Sequence, residues 1–126
     1  MTEDHLPLFV YGPLQAGGPA ASLLRGLARA PARVRGKLYR MPAGYPVMAR
    51  STDHWVEGEL LDPPGTLRMG LVDRFEGVAE GCLRRTQMMV ECRGRWVHAW
   101  AYLADDPRAR GGQPGWQKAR SILGSS

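Results

Sequence analysis

One carboxylate in this 126-residue chain stands where a proton carrier would be useful. Glu76 lies in the segment Leu71-Val72-Asp73-Arg74-Phe75-Glu76-Gly77-Val78. It follows the last apolar residue of a helix-spaced stripe and precedes a glycine suited to end a helix. A carboxylate at a helix C-terminus opposes the helix dipole, which favours cations there. Apolar neighbours withhold the water that would solvate its charge. Both effects raise its pKa and leave it able to take up and return a proton near neutrality. The alternative is an exposed glutamate paired with Arg74, Arg84 or Arg85. Sequence physics alone favours that alternative, as it does for most surface glutamates.

A second stretch, LFVYGPLQAGG from Leu8 to Gly18, ends a short apolar run in Tyr11, Gly12, Pro13 and Leu14. A glycine-containing loop after a strand can present backbone N–H groups to an anion or a carbonyl oxygen. It can equally be a tight turn that holds nothing. Pro13 has no N–H, so any donors in the loop come from its neighbours.

The remaining reactive residues form no constellation. His5 lies in a polar segment, His54 stands beside Asp53 in a turn, and His98 alternates with Val97 and Ala99 in a strand. No histidine pair has metal-ligand spacing, so no metal is expected. No serine sits in a G-x-S-x-G elbow. Gly17-Gly18 lacks the following Lys and Ser or Thr of a phosphate loop. Cys82 and Cys92 are the only cysteines and sit in no CxxC or His-linked spacing. Two free thiols in a reducing cytoplasm is the expectation, with a disulfide near a hairpin as the alternative.

The elements that must position these groups follow from the apolar pattern. Leu8–Tyr11 reads as a buried strand. Pro19–Ala30 places Leu23, Leu24 and Leu27 at helical spacing, closed by Pro31. Val34–Tyr39 and Trp55–Leu61 read as strands with interior glycines, and Gly44–Met48 leads into a short extended piece. Thr66 can cap a helix running to about Phe75. Leu67, Leu71 and Phe75 follow at four-residue steps as its apolar stripe, and Gly77 ends it. Leu83–Val90 and Trp96–Leu103 are long strands around a turn at Cys92-Arg93-Gly94-Arg95. From Asp105 onward Pro107, Gly111, Gly112, Pro114 and Gly115 predict a loosely ordered tail, fraying at Ser125-Ser126. Five or six strands and two helices make an α+β fold. Interior glycines favour a strongly bent sheet or small barrel.

Residues 1–126 have the length of a single domain, able to bury a core without metal or disulfide. The net charge is +5, carried almost wholly by arginine, since Lys37 and Lys118 are the only lysines. The arginines are scattered rather than run together, which predicts a solvated surface and no nucleic-acid partner. No apolar run approaches membrane-spanning length and no signal peptide is expected, so the predicted location is cytoplasmic, with no membrane partner. The sequence leaves the oligomeric state open.

Taken in order, these pieces resemble the γ-glutamylcyclotransferase-like family, which includes the γ-glutamylamine cyclotransferases. The family opens with an apolar strand and Tyr-Gly-Thr-Leu, where this chain has Tyr11-Gly12-Pro13-Leu14. Gly36-Lys37-Leu38-Tyr39 matches its Gly-x-Leu-Tyr, and Tyr45-Pro46 its Tyr-Pro pair. Val56-Glu57-Gly58-Glu59-Leu60 and Val72-Asp73-Arg74-Phe75-Glu76-Gly77 match the next two elements. Arg85, Ala99-Trp100-Ala101-Tyr102 and Gly115-Trp116 complete the set. The resemblance implies a small mixed β-barrel with flanking helices. It implies that Tyr11, Gly12, Pro13 and Leu14 cradle a γ-glutamyl group or its 5-oxoproline product. It further implies that Glu76 is the catalytic acid/base of a cyclising acyl transfer on a small-molecule γ-glutamyl amine. No metal or organic cofactor is implied. Two positions depart from the pattern: Pro13 replaces Thr or Ser, and Leu83 stands where a tyrosine usually precedes the strand arginine. A catalytically inactive member that binds a small metabolite is the alternative reading.

Overall fold

Strands whose residues alternate between apolar and polar must bury one face. In this chain they do so by closing on themselves. The computed structural model describes residues 5–12, 17–18 and 20–114. Its strands are β1 (Leu8–Val10), β2 (Arg29–Arg35), β3 (Lys37–Arg40), β4 (Pro46–Ala49) and β5 (Trp55–Leu61). After helix α1 (Thr66–Phe75) come β6 (Arg84–Cys92), β7 (Arg95–Leu103) and β8 (Gln113–Pro114). β1, β5, β2, β6 and β7 form a closed barrel in that order, and β4, β3 and β8 form a second sheet. The barrel is mixed: β1 runs parallel to β7 at Leu8 and Trp100, while its other pairings are antiparallel.

Alternation divides the core into two layers. Phe9, Val34, Val56, Val90, Ala99 and Ala101 belong to one buried cluster. Leu8, Val10, Leu61 and Tyr102 belong to the other, where Met69 and Val72 of α1 cover the barrel wall. The β6–β7 hairpin turns as expected. Cys92 pairs with Arg95. Arg93 (φ 54) and Gly94 (φ 78) both take the left-handed conformation that a two-residue hairpin loop requires.

Four expectations are corrected. The strand expected across Val34–Tyr39 is two strands in different sheets, parted at Gly36, whose N–H donates to the His54 carbonyl at 3.0 Å. The helix expected over Pro19–Ala30 does not form. The described part holds one 3-10 turn, Ala21–Leu24, and β2 already begins at Arg29. Gly26 takes φ 87 and ends the helical course. Arg29 and Ala30 then gain ladder partners in Leu61 and Leu60, and sheet pairing outweighs a helical signal of three leucines.

The third correction concerns α1. Its bounds are as expected, but Gly65 rather than Thr66 is the N-cap. The stripe Leu67, Leu71 and Phe75 faces outward, with 87%, 47% and 47% exposure, while Met69 and Val72 are buried. The helix has two apolar faces, and the one spaced by three packs on the barrel. Fourth, the described part of the tail expected to be loose from Asp105, residues 105–114, contains a 3-10 turn, Arg108–Arg110, and β8, which pairs Gln113 with Arg40 and Pro114 with Tyr39. Trp116, Ser125 and Ser126 lie outside the described residues. Among the described residues, no helix is long and apolar enough to cross a membrane.

Candidate active site

Glu76 is presented by a helix end held at fixed points. α1 closes in a Schellman motif: Gly77 takes φ 73, its N–H donates to Arg74, and the Val78 N–H donates to Asp73 at 3.0 Å. One turn before Glu76, the Asp73 carboxylate accepts from the Tyr102 hydroxyl at 2.6 Å and from Arg85 at 3.0 Å. Arg85 also stacks on the Trp100 ring, 4.6 Å from its centre. Residues of β6 and β7 thus anchor the helix terminus to the barrel. Burial, reinforced by the hydrogen bond to Asp73, raises the pKa of the Tyr102 hydroxyl.

The exit of β1 is held from the other side. The Tyr11 hydroxyl donates to the Tyr102 carbonyl at 2.8 Å and accepts from the Met48 N–H at 3.0 Å. It ties β1, β4 and β7 at one point. Burial raises its pKa strongly, and the nearby Glu76 charge adds to that. The hydroxyl is therefore committed to structure. Tyr11→Phe removes the hydroxyl that two buried backbone groups bond and is expected to cost about 2 kcal/mol, read as a lower urea midpoint.

Tyr11 and Glu76 line one cavity of about 320 Å³, the lower end of small-molecule sites. Tyr45 and Pro46 of the segment entering β4 share its wall, as do Phe75, Gly77, Cys82 and Leu83. Burial in this largely apolar wall pushes the Glu76 carboxyl up to about 7. Among the described residues no cation pairs with it: Arg85 is engaged by Asp73 and Arg84 by Asp105. The surface ion pair that sequence physics favoured for Glu76 is absent there. A carboxyl poised between its two protonation states, in an apolar recess, can pass a proton in either direction.

Of the expected site residues, Glu76 and Tyr11 converge. Gly12 adjoins them at φ 78, and a Cβ there would come 3.2 Å from Pro46 in the cavity wall. Pro13 and Leu14 lie outside the described residues. The sequence places Phe75 in the apolar stripe of α1 and assigns none of Tyr45, Pro46, Cys82 and Leu83 to a site. The Tyr45-Pro46 pair was a usable signal; Cys82 carried none. Cys82 and Cys92 are free thiols, and Cys92 donates weakly to the Pro31 carbonyl at 3.4 Å. His98 and His5 are exposed, and His54 meets Ser51 at 3.3 Å in a turn. Among the described residues, no three His, Cys, Asp or Glu side chains group as a metal site.

Residues 8–119 match the family described as Gamma-glutamyl cyclotransferase, AIG2-like. No curated protein matches the chain in sequence. Solved structures share the fold. YkqA of Bacillus subtilis has TM-score 0.66 and 24% identity; the match covers 79% of this chain and 35% of YkqA. An AIG2-like protein of Mus musculus has TM-score 0.63 and 23% identity, over 79% of this chain and 76% of that one. A structure described as a gamma-glutamyl cyclotransferase has TM-score 0.61 and 16% identity, over 78% of this chain and 65% of that one.

Proposed function

The chain belongs to the gamma-glutamyl cyclotransferase, AIG2-like family, and from that membership we propose that it cyclises a γ-glutamyl amine to 5-oxoproline and releases the free amine. One observation carries the reading: the Glu76 carboxyl, its pKa pushed up to about 7, lines the same cavity as Tyr11 at the exit of β1. In the proposed reaction Glu76 takes a proton from the substrate's α-ammonium. The freed nitrogen attacks the side-chain carbonyl carbon of the same molecule. As the new C–N bond closes the ring, the old amide bond breaks; Glu76 returns the first proton to the departing amine and then carries the second from the ring nitrogen to the same amine, so that the products are the neutral lactam and an ammonium. Water is neither consumed nor formed.

Holding the substrate folded makes the attack intramolecular, and such positioning can lower a barrier by on the order of 7–11 kcal/mol. Backbone N–H groups of the loop that opens at Gly12 are the donors proposed for the developing oxyanion. Two free thiols suit the cytoplasmic location that we assign to the reaction. A non-catalytic, metabolite-binding role is the second reading, favoured by Leu83 in the cavity wall where a tyrosine is usual.

The test is release of 5-oxoproline from a set of γ-glutamyl amides as pH is varied. Glu76 acts first as a base and must be ionised, so kcat/KM is expected to rise through pH about 7 and level off above it. Absence of turnover with every amide, alongside a melting-temperature shift with 5-oxoproline, would establish the second reading instead.

A further inference from the structure

On the footing of the cyclotransferase reading, we propose that the released amine carries a neutral, bulky apolar substituent that lies against Tyr45, Phe75 and the outer face of α1. The argument begins with where the amine must be. To receive its proton it sits at the Glu76 carboxyl, so its substituent starts there and leaves through the cavity mouth. Phe75 is the adjoining residue, and with Tyr45 it lines the cavity while remaining about half exposed, at 47% and 44%. The half-exposed part of the lining is thus aromatic at two positions.

Charge excludes the commonest alternative. Among the described lining residues there is no lysine, arginine or histidine. A carboxylate on the leaving amine, as in any γ-glutamyl amino acid or peptide, would approach the Glu76 charge without a cation from that wall. Arg84 and Arg85, the arginines that follow Leu83 in the chain, are held by Asp105 and Asp73. An unpaired charge in a partly dry recess is disfavoured.

The surface outside the mouth continues the apolar character. From Phe75 the strip runs back along α1 through Leu71 and Leu67 at four-residue steps. Eight residues of helix span about 12 Å. An exposed contiguous apolar strip ordinarily marks a binding surface. Its continuity with the cavity through Phe75 makes the substrate's amine substituent its occupant.

Three substrates isolate the claim: γ-glutamyl-phenethylamide, γ-glutamyl-phenylalanine, which adds one carboxylate, and γ-glutamyl-methylamide, which lacks the ring. All release primary alkyl amines. The phenethylamide is expected to exceed both others at least about tenfold in kcat/KM, the scale on which an apolar pocket discriminates. Leu71→Gln, on the exposed strip, is expected to shrink that ratio, and Phe75→Ala to shrink it further. Equal kcat/KM for the three, or preference for γ-glutamyl-phenylalanine, overturns this inference alone. Turnover of none overturns the cyclotransferase reading and this inference with it. Self-association in size-exclusion chromatography that Leu71→Gln abolishes, with the substrate ratio unmoved, assigns the strip to a second copy of the chain and overturns the inference as well.

Discussion

Glu76→Gln is expected to abolish 5-oxoproline release and, in the same protein at pH 8, to raise the melting temperature. The first half follows from chemistry. Glutamine keeps the shape of the side chain but can neither take the α-ammonium proton nor return it, so kcat should fall by about 10²–10⁴-fold, the ordinary worth of a positioned acid/base. The second half follows from linkage. The folded protein raises the carboxyl from 4.5 to about 7 because burial disfavours its charge. The folded state therefore binds a proton that the unfolded chain has released, across the interval from 4.5 to about 7. Stability from the neutral form is complete below 4.5 and is lost as pH rises through 7.

At pH 8 the wild-type protein holds, in a largely apolar recess, a carboxylate that no cation among the described residues pairs with; the variant holds a neutral amide. The full shift corresponds to about 3 kcal/mol, and solvent reaching the open cavity reduces it to about 2 kcal/mol. For a domain of this size that is about 6 °C in Tm. The gain should vanish at pH 4.5, where both side chains are neutral. A group selected for stability behaves in the opposite way. A loss of activity paired with a gain of stability is what a proton carrier in an apolar site requires. Melting curves at pH 4.5 and 8, beside a 5-oxoproline assay, check both halves. Undiminished turnover would remove Glu76 from the reaction, and an unchanged Tm at pH 8 would return it to the solvated surface.

How far the site could be read in the sequence depends on the range of the forces that build it. Local rules carried α1: its bounds, its glycine terminator and the position of Glu76 all lie within a few residues of one another. The β6–β7 turn was equally local, because Arg93 and Gly94 alone supply its backbone angles. The failures required distant partners. Whether Leu67-Leu71-Phe75 or Met69-Val72 faces the barrel is decided by what the barrel wall offers, not by either spacing. Val34–Tyr39 reads as one strand until Gly36 meets His54 and the chain changes sheets. Tyr11 lines a cavity with Glu76, but nothing local foretells that its hydroxyl is taken by Met48 and Tyr102, residues 37 and 91 positions away. Tyr45 and Phe75, which line the same cavity, are 30 residues apart in the chain and are brought to it only by the fold.

The barrel itself depends on one close approach, and Gly58→Ala is expected to cost about 3–5 kcal/mol by breaking it. A Cβ at Gly58 would overlap the Val10 carbonyl oxygen and stand 2.8 Å from the Phe9 ring. The first of these is backbone and has no rotamer by which to escape. β1 pairs with β5 through Val10 and Glu59, so the added methyl pushes on β1 just where the chain leaves for Tyr11. Moving Tyr11 would loosen its bonds to Met48 and Tyr102 and displace one wall of the cavity from Glu76. Stability and kcat/KM should therefore fall together, unlike the opposed changes expected of Glu76→Gln. Against an ordinary domain stability of about 5–15 kcal/mol, the urea midpoint should drop by about 2 M. Gly70→Ala is the matched control. Gly70 lies mid-helix in α1 with nothing within 4 Å of its Cβ position, so alanine should stabilise by about 0.5–1 kcal/mol. If Gly58→Ala unfolds within about 1 kcal/mol of the wild type, β1 and β5 do not pack as closely as their backbones indicate, and the fixed separation of Tyr11 and Glu76 loses its structural cause.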